Sequence, residues 1–351
     1  MKDKPIIILT GGGTAGHIMP NIALFEKYKS KYDFIYIGSK DSMEEKLVEN
    51  IMPFYHITTT KLIRKLTLKN FKIPFELIKG INEAKKLLKD INPSLIFSKG
   101  GFVSVPVVLA GKKLGIHCIT HESDLTMGLA NKLIKNKCDY VCSSFQSTTR
   151  YLKNGVWTGT PLRSQLFCGD RNKILSNCKF DKNKKTIMVF GGSLGSRNIN
   201  ELIFKNIHQL DSYNIIHIVG KGNTRKVDYK NYLQKEFVDN IQDYFACSDL
   251  VITRGGSNAI NELLALKKLM IIIPLSKAQS RGDQILNSEY FKSKGYAEMI
   301  LEENMNISVL KKTINSMLKN PELYISNMTH ASKNGCIEIE KLFQKLIKRT
   351  D

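Results

Sequence analysis

The sequence predicts an α/β protein made of two similar doubly wound units that face one another across a cleft. Three stretches of one kind carry that prediction. In each, a short run of apolar and β-branched residues breaks into glycines, and a helical pattern starts at once. Residues 4–10 lead into Gly11-Gly12-Gly13-Thr14-Ala15-Gly16-His17, residues 186–190 into Gly191-Gly192-Ser193-Leu194-Gly195-Ser196, and residues 250–253 into Arg254-Gly255-Gly256-Ser257-Asn258. Strand, glycine turn and helix start together make the βα step of a parallel sheet. At 351 residues the chain is also too long for one ordinary core.

In the first half, residues 6–9 form the opening strand, and Ile18, Ile22 and Phe25 lie on one face of the helix after it. A second strand spans 32–37, a helix 41–50, and a short strand 53–57. Residues 61–90 are basic and apolar by turns, and helical periodicity accounts for 81–88. For 61–80 two readings stand. One is contact with an anionic membrane surface, the other a lysine-rich solvated face. Strands follow at 93–98 and 116–120, with a helix at 107–114 between them. Tyr140 and Val156 open the last two strands. The proline in Thr160-Pro161-Leu162-Arg163 keeps that segment extended as a linker begins, and the lysine- and asparagine-rich 171–185 reads as a boundary loop.

In the second half, strands at 186–190, 215–219, 250–253 and 270–274 alternate with helices at 197–209, 258–266 and 284–294. Glycine turns at strand ends leave backbone N–H groups at helix starts, where a phosphate or a developing anion is stabilised. The spacing Gly11-x-Gly13-x-x-Gly16 also matches a dinucleotide fingerprint. That match lacks the acidic residue at the end of the second strand, because Asp41 comes late and in a loop. The glycines alternatively serve only close helix–strand packing.

Candidate chemistry lies in the same loops. His17 is the one side chain of the first loop able to move a proton near neutral pH. His121 and Glu122 stand where a strand ends, as an acid–base pair or as loop-holding hydrogen-bond partners. With 42% hydrophobic and 24% charged residues the chain reads as globular, and no apolar run reaches the roughly 18 residues of a membrane span. No signal peptide is expected. The seven cysteines lack paired spacing and read as reduced thiols in a cytosolic protein, without a metal site. The surplus of 53 basic over 32 acidic residues, net +21, attracts anionic partners. Nucleic acid is not expected, since no recognised binding module is present.

Taken in order, these motifs resemble the MurG family of peptidoglycan glycosyltransferases over nearly the whole chain. The likeness rests on residues 11–17, on Gly100-Gly101-Phe102-Val103-Ser104, on His121-Glu122, on Gly159-Thr160-Pro161-Leu162-Arg163, on Gly191-Gly192-Ser193-Leu194-Gly195, and on 254–262 with Gln284 and Asn287. It implies the GT-B architecture, two Rossmann-like domains about a cleft. The N-terminal domain, 1–162, would face acceptor and membrane, and a final helix over about 337–351 would pack back on it. The C-terminal domain, 163–336, would hold the donor.

The implied reaction moves N-acetylglucosamine from UDP-N-acetylglucosamine to the 4-hydroxyl of undecaprenyl-linked lipid I, with inversion and without metal or cofactor. It would occur at the cytoplasmic face of the membrane. By the same resemblance, Ser193 binds the donor diphosphate, Arg163 sits near the donor, Glu262 takes the ribose hydroxyls and Val238 meets uracil. Ser257, Asn258, Ala259, Ile260 and Asn261 pass close to the nucleotide, and Gln284 contacts the sugar. Thr14, Ala15 and Gly16 approach the reaction centre, with His17 the first candidate base and Glu122 or His121 behind it. The membrane contact is expected at 61–80 and in the 102–106 loop. The chain departs from the family at Ala15 (a second glycine), at Asp124 (asparagine, an expected substrate-binding position) and through 276–283. The alternatives are another GT-B enzyme, such as a diacylglycerol glycosyltransferase or a UDP-sugar epimerase, and a non-catalytic membrane adaptor.

Overall fold

The computed structural model describes residues 4–60, 73–178, 180–192, 195–277 and 282–348. The chain divides into two compact units, Met1–Arg163 with Lys333–Asp351, and Ser164–Ser332.

The first unit runs β1 (Ile6–Thr10), α1 (Ala15–Tyr28), β2 (Asp33–Gly38), α2 (Met43–Val48), β3 (Phe54–His56), α3 (Ile73–Ile91), β4 (Leu95–Ser98), α4 (Ser104–Lys113), β5 (His117–Glu122), α5 (Leu129–Ile134), β6 (Tyr140–Ser143), α6 (Gln146–Thr149) and β7 (Gly155–Trp157). Its sheet has the order β3-β2-β1-β4-β5-β6-β7, and each pairing is parallel. The strands alternate sides, as their period of two requires. Ile7, Leu9, Phe34, Leu95 and Phe97 pack on one face with Ile18 and Ile22 of α1. Ile8, Ile37, Ile96 and Cys118 pack on the other with Ile81, Ala84 and Leu88 of α3 and Val107 of α4. Burial on both faces explains why these strands read as unbroken apolar runs.

The second unit holds α7 (Arg171–Leu175), β8 (Lys185–Phe190), α8 (Arg197–Asn206), β9 (Tyr213–Ile218), β10 (Tyr232–Lys235), α9 (Ile241–Cys247), β11 (Leu250–Thr253), α10 (Ser257–Ala265), β12 (Leu269–Ile272), α11 (Asp283–Ser293), β13 (Glu298–Met299), α12 (Ile307–Lys319) and α13 (Pro321–Met328). Its parallel sheet has the order β10-β9-β8-β11-β12-β13. Ile187, Val189, Ile215 and Ile252 bury one face against Ile199 and Ile203 of α8 and Leu310 and Ile314 of α12. The last helix, α14 (Gly335–Ile347), belongs to the first unit. Its Ile339, Phe343 and Leu346 join the α1 side of that core, with Phe343 edge-on to Tyr32 and Phe97.

Two local expectations are corrected. The 171–185 stretch is not a boundary. Its first five residues form α7, capped by the Asp170 carboxylate and packed on α9, while Asp170 N–H donates to Asp243 at 2.8 Å. The 102–106 stretch is mostly helix rather than loop, with Phe102 partly exposed ahead of it. Ser104 to Pro106 are the first turn of α4, and Val103, Ser104 and Val105 are buried. Proline is tolerated there because first-turn N–H groups have no partner inside the helix.

Candidate active site

In a doubly wound sheet, ligands collect beyond the carboxyl ends of the strands where the strand order reverses. In the first unit that point lies between β1 and β4, and in the second between β8 and β11. The glycine turns singled out in the sequence follow these four strands.

The turn after β1 is held atom by atom. Asn21 donates to the Thr10 carbonyl at 3.2 Å, and the Tyr36 hydroxyl donates to Gly11 O. Gly13 N–H donates to Glu44 Oε2 at 3.2 Å, while His17 Nδ1 lies 2.9 Å from Gly12 O. A carbonyl only accepts, so Nδ1 carries the hydrogen and the neutral ring keeps its lone pair on Nε2. The turn after β4 comes to lie against this loop. Gly101 has φ +81°, and a Cβ there would sit 2.6 Å from Gly12 O and 3.1 Å from His17 Nδ1, so only glycine fits. His17, Ala15 and Gly16 are partly exposed and Thr14 is exposed at the helix start.

His121 and Glu122 end β5 beside these turns, but their side chains face inward. His121 is fully buried and donates from Nε2 to Gly159 O at 2.9 Å. Burial first, then the nearby Lys99 charge, hold its pKa well below the ordinary histidine value, against the opposing Gly159 bond. Glu122 Oε1 accepts from Asp124 N–H at 3.0 Å. Its Oε2 accepts from Gly128 N–H at 2.9 Å and from Asn131 Nδ2 at 2.8 Å. Glu122 therefore holds the loop after β5 and His121 the segment after β7, the second of the two roles their position allowed. Asp124 is partly exposed.

Lys99 had no role in the sequence reading. It is 1% exposed and its ammonium donates to Ser123 Oγ. Burial pushes it down to about 8 despite the Glu122 and Asp124 carboxylates. Glu44, also 1% exposed, was equally unforeseen.

In the second unit, Ser193 and Leu194 lie outside the described residues. The turn after β11 is anchored by Arg254, whose Nη1 donates to Ile273 O at 3.1 Å and whose Nη2 meets Glu302 at 2.6 Å. Gly255 abuts α11, where a Cβ would sit 2.5 Å from Ser288 Oγ. On α10, Ser257 and Ile260 are buried and Asn261 donates back to Ser257 O at 2.8 Å. Asn258 and Ala259 in the first turn and Glu262 in the second keep exposed surface. Gln284 Oε1 accepts from Leu275 N–H at 3.1 Å, which ties α11 to the segment after β12. Val238, between β10 and α9, and Arg163, at the end of the first unit, are both partly exposed.

Residues 7–143 match the model of the glycosyltransferase family 28 N-terminal domain, and 186–347 that of the family 28 C-terminal domain. The chain belongs to glycosyltransferase family 28. Within it, a Clostridium tetani protein named UDP-N-acetylglucosamine–N-acetylmuramyl-(pentapeptide) pyrophosphoryl-undecaprenol N-acetylglucosamine transferase is 46% identical over 354 residues, covering 98% of each chain. A Clostridium perfringens protein of the same name is 46% identical over 349 residues, covering 97% of this chain and 98% of its own. The crystal structure of Acinetobacter baumannii MurG shares the fold, with a TM-score of 0.77 at 23% identity over 98% of this chain and 100% of that one. The resemblance to the MurG family is thus borne out, and so is the doubly wound class of both units. Among the described residues of this family 28 chain, no helix is long and apolar enough to cross a membrane, and no group of histidine, cysteine and acidic side chains could hold a metal ion.

Proposed function

We propose that this family 28 chain is an inverting N-acetylglucosaminyltransferase. It moves the sugar of UDP-N-acetylglucosamine to the 4-hydroxyl of the muramoyl residue of lipid I, giving lipid II for peptidoglycan. The observation that carries the reading is the end-to-end match, at 46% identity, to relatives named for this transfer. In the reaction, the acceptor oxygen forms a bond to the anomeric carbon from the face opposite UDP while the bond to the diphosphate oxygen breaks. The hydroxyl proton goes to a base, and negative charge grows on the leaving diphosphate.

His17 is the base in this reading. Its Nδ1 donates to Gly12 O, so in the neutral ring Nε2 is the nitrogen with the lone pair that takes the proton. Glu122 supports the loop after β5 and His121 the segment after β7, rather than take that proton themselves. Thr14, Ala15 and Gly16 line the approach, and Asp124 bounds it on the acceptor side. In the second unit, Ser193 and the glycine turn after β8 receive the diphosphate, with Arg163 adding positive charge. Glu262 takes the ribose hydroxyls, Val238 the uracil, residues 257–261 the nucleotide, and Gln284 the sugar.

The membrane contact is an anionic cytoplasmic surface, met through α3. There Phe75 and Ile78 are 75% and 57% exposed, one helical turn apart, and Lys79, Lys86 and Lys89 continue the exposed side. Residues 61–72 of the expected contact lie outside the described residues. No nucleic-acid partner belongs to this reading.

The test is transfer of radiolabelled N-acetylglucosamine from its UDP donor to a lipid I analogue. Glu262→Ala should weaken donor binding, and His17→Ala should lower turnover with donor binding kept. Full turnover by His17→Ala would reject the base. Donor binding without transfer to lipid I would reject the acceptor and favour another GT-B enzyme.

A further inference from the structure

The first glycine loop holds a carboxylate that the reaction as proposed does not use. Glu44 lies in the first turn of α2 and is 1% exposed, where a glutamate persists only if it is hydrogen-bonded. Its Oε2 accepts from Gly13 N–H at 3.2 Å and its Oε1 from Ser39 N–H at 3.4 Å. A Cβ on Gly12 would fall 2.5 Å from its carboxyl carbon, so the carboxylate fills the hollow of the loop. In other βα turns that hollow receives a phosphate. Here the anion comes from within the chain.

The geometry has a second side. Gly13 N–H and Gly12 C=O belong to one peptide group. That group donates to Glu44 through its nitrogen and accepts from His17 Nδ1 at 2.9 Å through its oxygen. Hydrogen bonds in series polarise one another, and a charged member strengthens the series. Among the described residues, the charged groups near this loop include Lys99 just after β4, bonded to Ser123, and Glu122 and Asp124 at and beyond the end of β5, whose charges act on Lys99. On α2 itself, Glu45 is taken by His56.

We propose that Glu44 is a positioning residue for the transfer. Acting through the Gly12–Gly13 peptide, it fixes the His17 ring with its hydrogen on Nδ1 and makes Nε2 the stronger proton acceptor. This rests on His17 being the base. A carboxylate bonded directly to a histidine does the same work in hydrolytic triads. With a peptide interposed the effect is smaller.

Glu44→Gln keeps the volume but removes the charge, and it sets an amide NH₂ against one of the two N–H donors. Turnover should fall about tenfold, a small part of the roughly 10²- to 10⁴-fold that a positioned acid–base group supplies. KM for the UDP donor should be unchanged, and the acid limb of the pH–kcat profile should move to lower pH as the ring loses basicity. Nitrogen-15 NMR of the ring should show hydrogen on Nδ1 in the wild type and a weaker preference in the variant. In a His17→Asn background, Glu44→Gln should cost almost nothing more.

An equal loss in both backgrounds, or activity falling only in step with thermal stability, would mean a merely structural carboxylate and overturn the proposal. So would a wild-type ring protonated on Nε2. If His17→Asn alone keeps full turnover, the base reading fails on its own account. The ring's NMR then decides separately whether Glu44 orients it, and a signal unmoved by Glu44→Gln overturns that too.

Discussion

Gly101→Ala is the substitution that most directly probes the contact between the turns after β4 and β1. Two costs are readable from the structure. Gly101 has φ +81°, where an L side chain costs about 1–2 kcal/mol. The new methyl would also stand 2.6 Å from Gly12 O, 3.2 Å from Gly12 N and 3.1 Å from His17 Nδ1. Backbone cannot rotate out of the way as a side-chain end can, and overpacking of this kind adds about 1–3 kcal/mol. The expected destabilisation is therefore about 2–5 kcal/mol. Gly13→Ala supplies the control. Its φ is +83°, but nothing lies within 4 Å of the added Cβ, so only the backbone term of about 1–2 kcal/mol remains. Urea unfolding followed by fluorescence measures both, and the transfer assay reads the consequence. Pushing Gly12 aside shifts the acceptor of His17 Nδ1, and a base displaced by a fraction of an ångström costs about 10- to 100-fold in turnover. UDP binding, assigned to the other unit, should survive. If Gly101→Ala is no worse than Gly13→Ala in stability and turnover, the two turns are not in contact as described.

Three further outcomes follow from other contacts. Arg254→Lys keeps one charge but loses the fork that serves Ile273 O, Pro274 O and Glu302 together, so the second unit should lose about 2–4 kcal/mol in chemical denaturation. Phe343→Ala removes a fully buried ring that meets Tyr32 and Phe97. It should cost the first unit about 3–5 kcal/mol, and an unchanged midpoint would deny α14 its place in that core. Lys99→Met tests the buried ammonium through pH. The folded-state value near 8 lies below the ordinary 10.5, so between those values the unfolded chain binds more protons. Wild-type stability should then rise relative to the variant through that window by about 1.4 kcal/mol per pH unit, and below pH 8 the gap should be flat. A flat difference across the whole range would show that the lysine is solvated.

What was legible in the sequence divides along a physical line. The glycine turns could be read because close approach of backbones and a positive φ exclude side chains, and that requirement is written in residue type alone. The strands could be read because both faces are buried. What partner a polar residue takes is another matter. His121 and Glu122 look the same at a strand end whether they face a ligand or the loop behind them. Only the bonds from Asp124, Gly128 and Asn131 decide for Glu122. The 171–185 stretch read as a linker from its lysines and asparagines, yet a capping aspartate and contact with α9, about seventy residues on, make its start a helix.

Glu44 shows the limit most clearly. The dinucleotide reading of the first loop asked for an acidic residue beyond the second strand and met only Asp41. An acid is there, three residues later, in the first turn of α2, and it points back into the glycine loop. A carboxylate in that position takes the N–H that a pyrophosphate would need, and two anions do not share one cradle. The dinucleotide alternative therefore fails on this carboxylate as well as on the missing acid at the end of the second strand. The same bond turns the loop from an anion site into a mount for His17.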